Sequence, residues 1–263
     1  MYELTRQKGL PCLKARCLSE IPVIKHAFLT RQGGISRGNY GTLNVSLEVG
    51  DEPALVKENL FLIARAFGFD VGQFFFLHQV HGRKVIRVEG RASTIPDADA
   101  AITDQKGLAL AIKTADCVPI LLCDPERPAI GAVHAGWRGT AGQIAMETVE
   151  AMERAFGTKR ASLLAALGPG IGACCYEVDE RVVSALKRWE GPGIYGKENK
   201  FFVDLALINA RQLLAADLTE DHIAMMDLCT SCQGHLFFSH RRDRGKTGRQ
   251  LSFIMIKGME GQK

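Results

Sequence analysis

Hydrophobic side chains recur at helical spacing in four stretches of the chain. Val56, Leu60, Ile63 and Phe67 follow one another at intervals of four, three and four residues, so they share one face of a helix. Gly68 comes directly after them and is typical of a helix end. Similar patterns predict three more helices, at 140–156, 178–189 and 204–216.

Short apolar runs between these stretches predict strands. The predicted strands are 74–79, 84–88, 108–113, 118–123, 129–134, 163–167, 223–226 and 251–256. Several runs are continuous rather than alternating, which is typical of strands buried on both faces. The strands between 74 and 134 have no helical pattern between them, and this favours an α+β fold over alternating βαβ units. Because no repeat or linker divides the sequence, we expect residues 1–263 to form a single domain.

Composition and charge exclude several classes of protein. A chain of 263 residues with 46% hydrophobic residues is not intrinsically disordered, and a net charge of +4 is too small for a dedicated nucleic-acid-binding protein. The most apolar stretch, 108–123, contains Lys113 and Asp116, so no membrane-spanning helix is expected. The first eight residues lack the apolar core of a secretory signal, and we therefore expect a cytoplasmic protein whose eight cysteines are thiols or ligands.

Three segments place metal ligands beside glycine or at strand ends. They are 77–82, which contains two histidines, 113–119, which contains Cys117, and 131–139, which contains His134. Polar side chains inside apolar strands need partners. Because neighbouring strand ends converge in space, a cluster of one cysteine and histidines is one prediction. The alternative is a set of separate core residues without a shared function.

Two chemistries fit such a cluster. Zinc accepts sulfur and imidazole ligands, and three protein ligands leave one position open. Alternatively, Cys117 is a nucleophile activated by His134, with Asp116 or another acceptor orienting the imidazole. A zinc-bound thiolate cannot attack a substrate, so the two hypotheses exclude each other, and the spacing of the residues does not choose between them.

The motifs of these segments resemble those of the laccase-domain, or YfiH-like, family, once called polyphenol oxidases. The resemblance covers almost the whole chain and rests on motifs at 30–36, 78–82, 97–100, 114–119, 133–139, 167–172, 237–243 and 247–249. It implies a single α+β sandwich of mixed sheets with flanking helices. It also implies zinc held by His81, Cys117 and His134, the same residues serving in catalysis.

The activities that this resemblance implies are reactions of purine nucleosides. They are phosphorolysis of adenosine, inosine and S-methyl-5′-thioadenosine, and deamination of adenosine to inosine. A cysteine–histidine hydrolase with Cys117 as nucleophile is the alternative function. Purine nucleosides and phosphate are the expected partners, without nucleic acid or membrane, and the sequence leaves the oligomeric state open.

The older oxidase name conflicts with the histidines of this chain. Seven histidines are present, but none forms a His-x-His pair of the kind that builds a multicopper site. A thiolate with imidazoles can hold copper, so copper in a preparation would not establish oxidase activity. His78 competes with His81 as a ligand, and Gly82 favours His81 as the residue at the turn.

Phosphorolysis requires an anion pocket, and several residues are candidates. Arg31 lies in a glycine-rich loop, and Arg138 precedes a predicted helix. The cationic run 241–249 is equally well interpreted as a solvated loop. Asp99 is a candidate substrate ligand, a hydrogen-bond partner that orients a ligand imidazole, or a turn residue.

The remaining cysteines form two short motifs. Cys229 and Cys232 have the two-residue spacing of many metal sites, but no second pair follows at the spacing of a zinc ribbon. We therefore interpret them as core or incidental thiols. Cys174 and Cys175 are adjacent and are interpreted as packing residues.

Overall fold

Fifteen strands and six α-helices make up the part of the chain that the computed structural model describes, residues 2–90 and 94–258. In chain order the strands are β1 (Tyr2–Gln7), β2 (Leu10–Ala15), β3 (Ile24–Leu29), β4 (Phe74–Phe76), β5 (Val85–Arg87), β6 (Ala100–Thr103), β7 (Ala109–Thr114), β8 (Val118–Asp124), β9 (Ala129–Ala135), β10 (Leu164–Leu167), β11 (Glu177–Val178), β12 (Ile194–Lys197), β13 (Lys200–Val203), β14 (Ile223–Met225) and β15 (Gln250–Ile256). The helices are α1 (Arg16–Ser19), α2 (Pro53–Phe67), α3 (Trp137–Ala141), α4 (Ile144–Phe156), α5 (Glu180–Ala185) and α6 (Leu205–Ala215).

Two six-stranded sheets form the centre of the fold. The first has the order β1-β2-β3-β15-β7-β4 and the second the order β14-β10-β8-β9-β6-β5. Three pairs are parallel, namely β4 with β7, β5 with β6 and β10 with β14, and the others are antiparallel. Strands β11, β13 and β12 form a small third sheet. The sheets are therefore mixed, as predicted.

Strand β8 shows how the two large sheets pack. Ile120 and Leu122 lie in a cluster with residues of α4 and α6, whereas Leu121 lies in a second cluster with Leu110 and Ile254 of the first sheet. Both faces of β8 are buried, which explains its continuous apolar sequence. A third cluster covers the outer face of the first sheet with α2. The prediction of an α+β sandwich with flanking helices is confirmed.

The predicted helices are present, but two have different bounds. The stretch 140–156 is not one helix, because Gln143 adopts φ 63° and separates α3 from α4. The stretch 178–189 contains only α5 and a short 3₁₀ turn at Lys187–Trp189. No helix within 2–90 or 94–258 is long and apolar enough to cross a membrane.

All eight predicted strands exist, although their ends differ by a few residues. Seven further strands were not predicted, namely β1, β2, β3, β6, β11, β12 and β13. Three of the six residues of β1 are exposed and the other three are half-buried, and β6 has four residues. Neither feature produces a clear hydrophobic pattern.

Candidate metal centre and active-site cavity

The three segments singled out in the sequence meet where the chain passes between the two large sheets. His81 lies in the turn after β4, and the left-handed φ of 59° at this residue is rare outside glycine. Cys117 lies in the short connection from β7 in the first sheet to β8 in the second. His134 lies near the end of β9, which pairs with β8. Three chain segments therefore bring their side chains to one end of the sandwich.

The ligand atoms of these three residues form a compact group. One nitrogen from each imidazole and the Cys117 sulfur all lie within 4.8 Å of one another. The ring centroids of His81 and His134 are 4.8 Å apart, and the two rings pack edge to face. Gly136 leaves room for the group, because a Cβ there would lie 3.1 Å from the Cys117 sulfur and 3.3 Å from His81 Cδ2.

The carboxylate of Asp99 hydrogen-bonds to two of these residues and fixes their positions. Its Oδ1 lies 2.8 Å from His134 Nδ1 and accepts a hydrogen bond from the His81 backbone N–H at 2.9 Å. Its Oδ2 accepts the Gly82 N–H at 2.6 Å. Because Nδ1 of His134 faces the carboxylate, Nε2 is left for the cluster, as in many metal sites where a carboxylate hydrogen-bonds the far nitrogen of a ligand histidine. Asp99 is fully buried.

The electrostatics of the group favour a thiolate. Burial raises the pKa of Cys117, but the charge of His134 and hydrogen bonds from both histidines outweigh burial and lower the pKa to about 6. Burial lowers the pKa of His134, but the Cys117 thiolate and Asp99 outweigh it and raise the pKa to about 9. A thiolate is the form that binds a metal and also the form that acts as a nucleophile.

The donor set fits a metal ion with an open position. One sulfur and two imidazole nitrogens suit zinc, and three protein ligands are typical of zinc sites that bind a water or a substrate. The same donors can hold copper. The geometry therefore supports a metal centre formed by His81, Cys117 and His134.

A cavity of about 430 Å³ opens beside the three residues. This volume lies within the usual range of small-molecule sites. Aromatic and cationic side chains dominate its wall, together with two carboxylates. The side chains concerned are Trp137, Tyr176, Lys113, Arg138, His240, Arg241, Arg249, Glu48 and Asp116.

The other predicted site residues occupy different places. Arg138 lines the cavity, with its guanidinium 4.4 Å from the centre of the Trp137 ring. Among the described residues, Arg31 is not part of the cavity wall, and its guanidinium donates to the carbonyls of Gly41 and Gly234. Asp99 is hydrogen-bonded to Nδ1 of His134. His78 is exposed and bonds to Asp97 at 2.7 Å, outside the cluster.

Asp116 does not orient the imidazole, a role that Asp99 fills. Its Oδ1 accepts a hydrogen bond from the Thr230 hydroxyl, and its Oδ2 accepts the Arg241 backbone N–H, both at 2.7 Å. The Asp116 carbonyl accepts the Ile171 N–H at 2.8 Å. Asp116 thus ties three distant loops together beside Cys117.

The sequence interpretation missed several cationic residues of the cavity. Arg241 and Arg249 belong to the run that was equally well interpreted as a solvated loop, but both line the cavity. Burial lowers the pKa of Arg249, which is consistent with its position in the wall. Lys113 also lines the cavity and pairs with Glu48 at 3.3 Å. The signal for Arg241 and Arg249 was the high density of cations in 241–249, whereas Lys113 stands alone in an apolar run.

Comparison with known proteins identifies matches along nearly the whole chain. Residues 25–257 match the family model described as multi-copper polyphenol oxidoreductase laccase. The chain is 40% identical over 255 residues to a purine nucleoside phosphorylase of Deinococcus radiodurans, covering 97% of this chain and 96% of that protein. It is 39% identical over 245 residues to the purine nucleoside phosphorylase YlmD of Geobacillus stearothermophilus, covering 86% of this chain and 87% of that protein.

Solved structures match the fold as well. The crystal structure of YlmD from Geobacillus stearothermophilus superposes with a TM-score of 0.90 at 35% identity, over 97% of this chain and 99% of that chain. The crystal structure of the Bacillus licheniformis protein YfiH gives a TM-score of 0.90 at 34% identity, over 96% of this chain and 98% of that chain.

Proposed function

We propose that this chain, which belongs to the multi-copper polyphenol oxidoreductase laccase family, is an enzyme that cleaves purine nucleosides by phosphorolysis. The main support for the proposal is that His81, Cys117 and His134 lie close together beside a cavity whose wall contains aromatic and cationic side chains. Relatives that cover nearly all of this chain are named purine nucleoside phosphorylases, and this supports the same reaction class.

His81, Cys117 and His134 are the residues that would hold the metal, which we propose to be zinc. When bound, zinc supplies Lewis-acid chemistry at the edge of the cavity. Asp99 fixes the orientation of His134 and, through the backbone of His81 and Gly82, the turn that carries His81. Gly136 keeps the space beside the ligands free of a side chain.

In phosphorolysis, the bond between C1′ of the ribose and the purine nitrogen breaks, and a bond from C1′ to a phosphate oxygen forms. The base leaves with the electron pair of the broken bond and takes up a proton. Arg138, Arg241 and Lys113 provide positive charge for the phosphate. Trp137 and Tyr176 provide apolar ring surface for the purine. Arg31, which the sequence suggested as a substrate ligand, holds loop backbone instead.

The proposed substrates are adenosine, inosine and S-methyl-5′-thioadenosine. We further propose that the same cavity hydrolyses adenosine to inosine and ammonia. Both reactions need the purine and ribose bound beside the metal centre. The two products, free base and deaminated nucleoside, separate the two activities in one assay.

The positions of the histidines argue against a multicopper oxidase. In the described ranges, His81 and His134 are the two histidines that join a group of metal-ligand side chains. His26 is buried in the first sheet and accepts a hydrogen bond from the Ala15 N–H. Several copper ions need many more imidazoles close together.

The direct test is to incubate the purified protein with adenosine or inosine, with and without phosphate. We expect free base and ribose 1-phosphate only when phosphate is present, and inosine from adenosine in either case. Cys117→Ala should abolish both activities, whereas Cys17→Ala should retain them, because Cys17 lies outside the metal centre. An inactive wild type, or full activity of folded Cys117→Ala, would contradict the proposal.

The low pKa of Cys117 favours a second candidate, a hydrolase in which Cys117 is the nucleophile. Labelling with iodoacetamide separates the two functions. If zinc binds Cys117, the zinc-loaded enzyme should be active and Cys117 unlabelled. Labelling of Cys117 in active, zinc-loaded enzyme, with loss of activity as labelling proceeds, would favour the hydrolase.

A further inference from the structure

A second group of metal-ligand side chains lies outside the proposed active site. The sulfurs of Cys174, Cys175, Cys229 and Cys232 all lie within 4.8 Å of one another. The Cys232 sulfur is 3.5 Å from that of Cys174 and 3.4 Å from that of Cys175. Cys174 and Cys232 are exposed and the other two are half-buried. The sequence analysis treats the two motifs as packing or incidental thiols, whereas the structure brings all four cysteines into one group.

The topology of the second sheet explains why these cysteines meet. Strands β10 and β14 are parallel neighbours, so the loops that follow them leave the sheet at the same edge. The loop after β10 carries Cys174 and Cys175, and the loop after β14 carries the other pair. The Thr230 N–H donates to the Gly170 carbonyl at 2.9 Å and joins the two loops.

We propose that these four cysteines bind a zinc ion that fastens the two loops together. Zinc–sulfur bonds of about 2.3 Å in a tetrahedron place the sulfurs about 3.8 Å apart. The measured separations of 3.4 and 3.5 Å lie a few tenths of an ångström below that value, and no two of the four sulfurs are more than 4.8 Å apart. Four thiolates close the coordination sphere, which is typical of structural zinc sites.

Two other uses of four cysteines fit the arrangement less well. A disulfide joins only two sulfurs, whereas here the Cys232 sulfur is equally close to two others, and all four thiols are free. An iron–sulfur cluster with four cysteines contains several metal and sulfide atoms, so its thiolates must stand further apart. A group confined to 4.8 Å has room for a single ion.

The site would stabilise one wall of the active-site cavity. Ile171 and Tyr176 line the cavity, and the cysteines of the first loop lie between them. In the second loop, Thr230 donates to Asp116 beside Cys117, and its carbonyl accepts a hydrogen bond from Arg242. A zinc ion that joins the loops would therefore fix the positions of cavity residues without contacting a substrate.

The zinc content of the purified protein tests the proposal. Under reducing conditions with zinc, we expect the double variant Cys174→Ser with Cys232→Ser to bind one zinc per chain fewer than the wild type. Cys17→Ser, which changes a half-buried cysteine outside both groups, should match the wild type. Cys117→Ala should lose the other zinc, so the two sites are counted separately. Equal zinc in wild type and folded double variant would overturn the proposal.

A second measurement uses the wild type alone and does not depend on the folding of a variant. Because Cys174 and Cys232 are exposed, iodoacetamide should label both quickly after zinc is removed with a chelator. In the zinc-loaded protein, labelling of both should slow at least tenfold, as read by peptide mass spectrometry. Equal labelling rates in the two states, or a disulfide within the group in zinc-loaded protein, would overturn the proposal.

Discussion

Asp99 fixes the arrangement of the candidate metal centre without being one of its three ligand residues. Burial raises the pKa of this carboxyl, but hydrogen bonds from His134 and the backbone of Gly82 and His81 outweigh it and lower the pKa. The carboxylate therefore stays charged at neutral pH. The carboxylate hydrogen-bonds to Nδ1 of His134, so that Nε2 is the nitrogen left to face Cys117. It also accepts the His81 backbone N–H and thereby stabilises the left-handed turn at His81.

Asp99→Asn should weaken zinc binding at the three-residue centre about 10- to 100-fold, because carboxylates that hydrogen-bond a ligand histidine contribute to metal affinity on that scale. Competition with a chelator of known affinity measures the change. Asp97→Asn is the matched control, since Asp97 also bonds a histidine, His78, but at the surface. Equal zinc affinity of Asp99→Asn and wild type would contradict the role assigned to Asp99.

His26 gives the protein a specific sensitivity to acid. Burial lowers its pKa from 6.5 to about 3, and its Nε2 accepts the Ala15 N–H at 3.0 Å. The unfolded chain binds a proton near pH 6.5 while the folded chain does not, so stability is lost as the pH falls from about 6.5 towards 3. At pH 5 the loss from this residue is about 2 kcal/mol.

His26→Gln keeps a hydrogen-bond acceptor but does not titrate in this range. We expect its free energy of unfolding to fall by about 2 kcal/mol less than that of the wild type between pH 7 and pH 5. Urea denaturation at both pH values measures the difference. His78→Gln, at an exposed position, should behave as the wild type does. An unchanged acid dependence in His26→Gln would show that this residue does not titrate as described.

At the level of elements, the sequence predicted strands with long apolar runs and missed those that are short or interrupted by polar residues, including the buried strands β2, β3 and β6. Continuous apolar runs such as β8 were recognisable because both of their faces are buried. The break between α3 and α4 was not predicted, although Gly142 ends α3, because apolar residues continue at helical spacing beyond it and the left-handed residue is Gln143. The small third sheet was missed because its strands are short and partly exposed.

The loop after β10 in the second sheet packs closely against the first sheet. Gly168 is buried there, and a Cβ at this position would overlap the ring of Phe28 on β3. Phe28 is itself buried, so the ring has little room to move. The glycine permits the close approach of the loop to the first sheet.

Gly168→Ala should lower the free energy of unfolding by about 1–3 kcal/mol, the usual cost of overpacking a core. Chemical denaturation at neutral pH measures it. Gly196→Ala is the control, because a Cβ at Gly196 in β12 meets no atom within 4 Å. A Gly168→Ala variant as stable as Gly196→Ala would show that Phe28 moves aside without cost.

On the scale of the whole molecule, the candidate site lies where the chain crosses from one sheet to the other. Cys117 is in the crossing from β7 to β8, and His81 follows β4 at the same end. The sequence predicted these residues because each stands beside strands with strong patterns. It left the role of Arg241 open and did not predict the four-cysteine group, because the partners of these residues are more than fifty residues away in the chain.

The charge of the molecule is distributed unevenly around this site. The net charge is only +4, but four cations line the cavity against two carboxylates. Phosphate binding should therefore depend on ionic strength, since salt shortens the screening length from about 10 Å at 0.1 M to about 3 Å at 1 M. We expect the KM for phosphate to rise several-fold between 0.05 and 0.5 M salt, with a smaller change in kcat. Steady-state rates at saturating nucleoside measure both.

A substitution of Arg138 tests whether this salt dependence arises from the cavity. Arg138→Ala should raise the KM for phosphate about tenfold at low salt and reduce its salt dependence, because one of the attracting charges is removed. Arg154→Ala removes an exposed cation on α4 that pairs with Glu150 away from the cavity, and it should leave both quantities unchanged. If both variants changed the KM equally, phosphate would be attracted by the overall charge of the protein. An effect of Arg138→Ala alone would assign phosphate binding to the cavity wall.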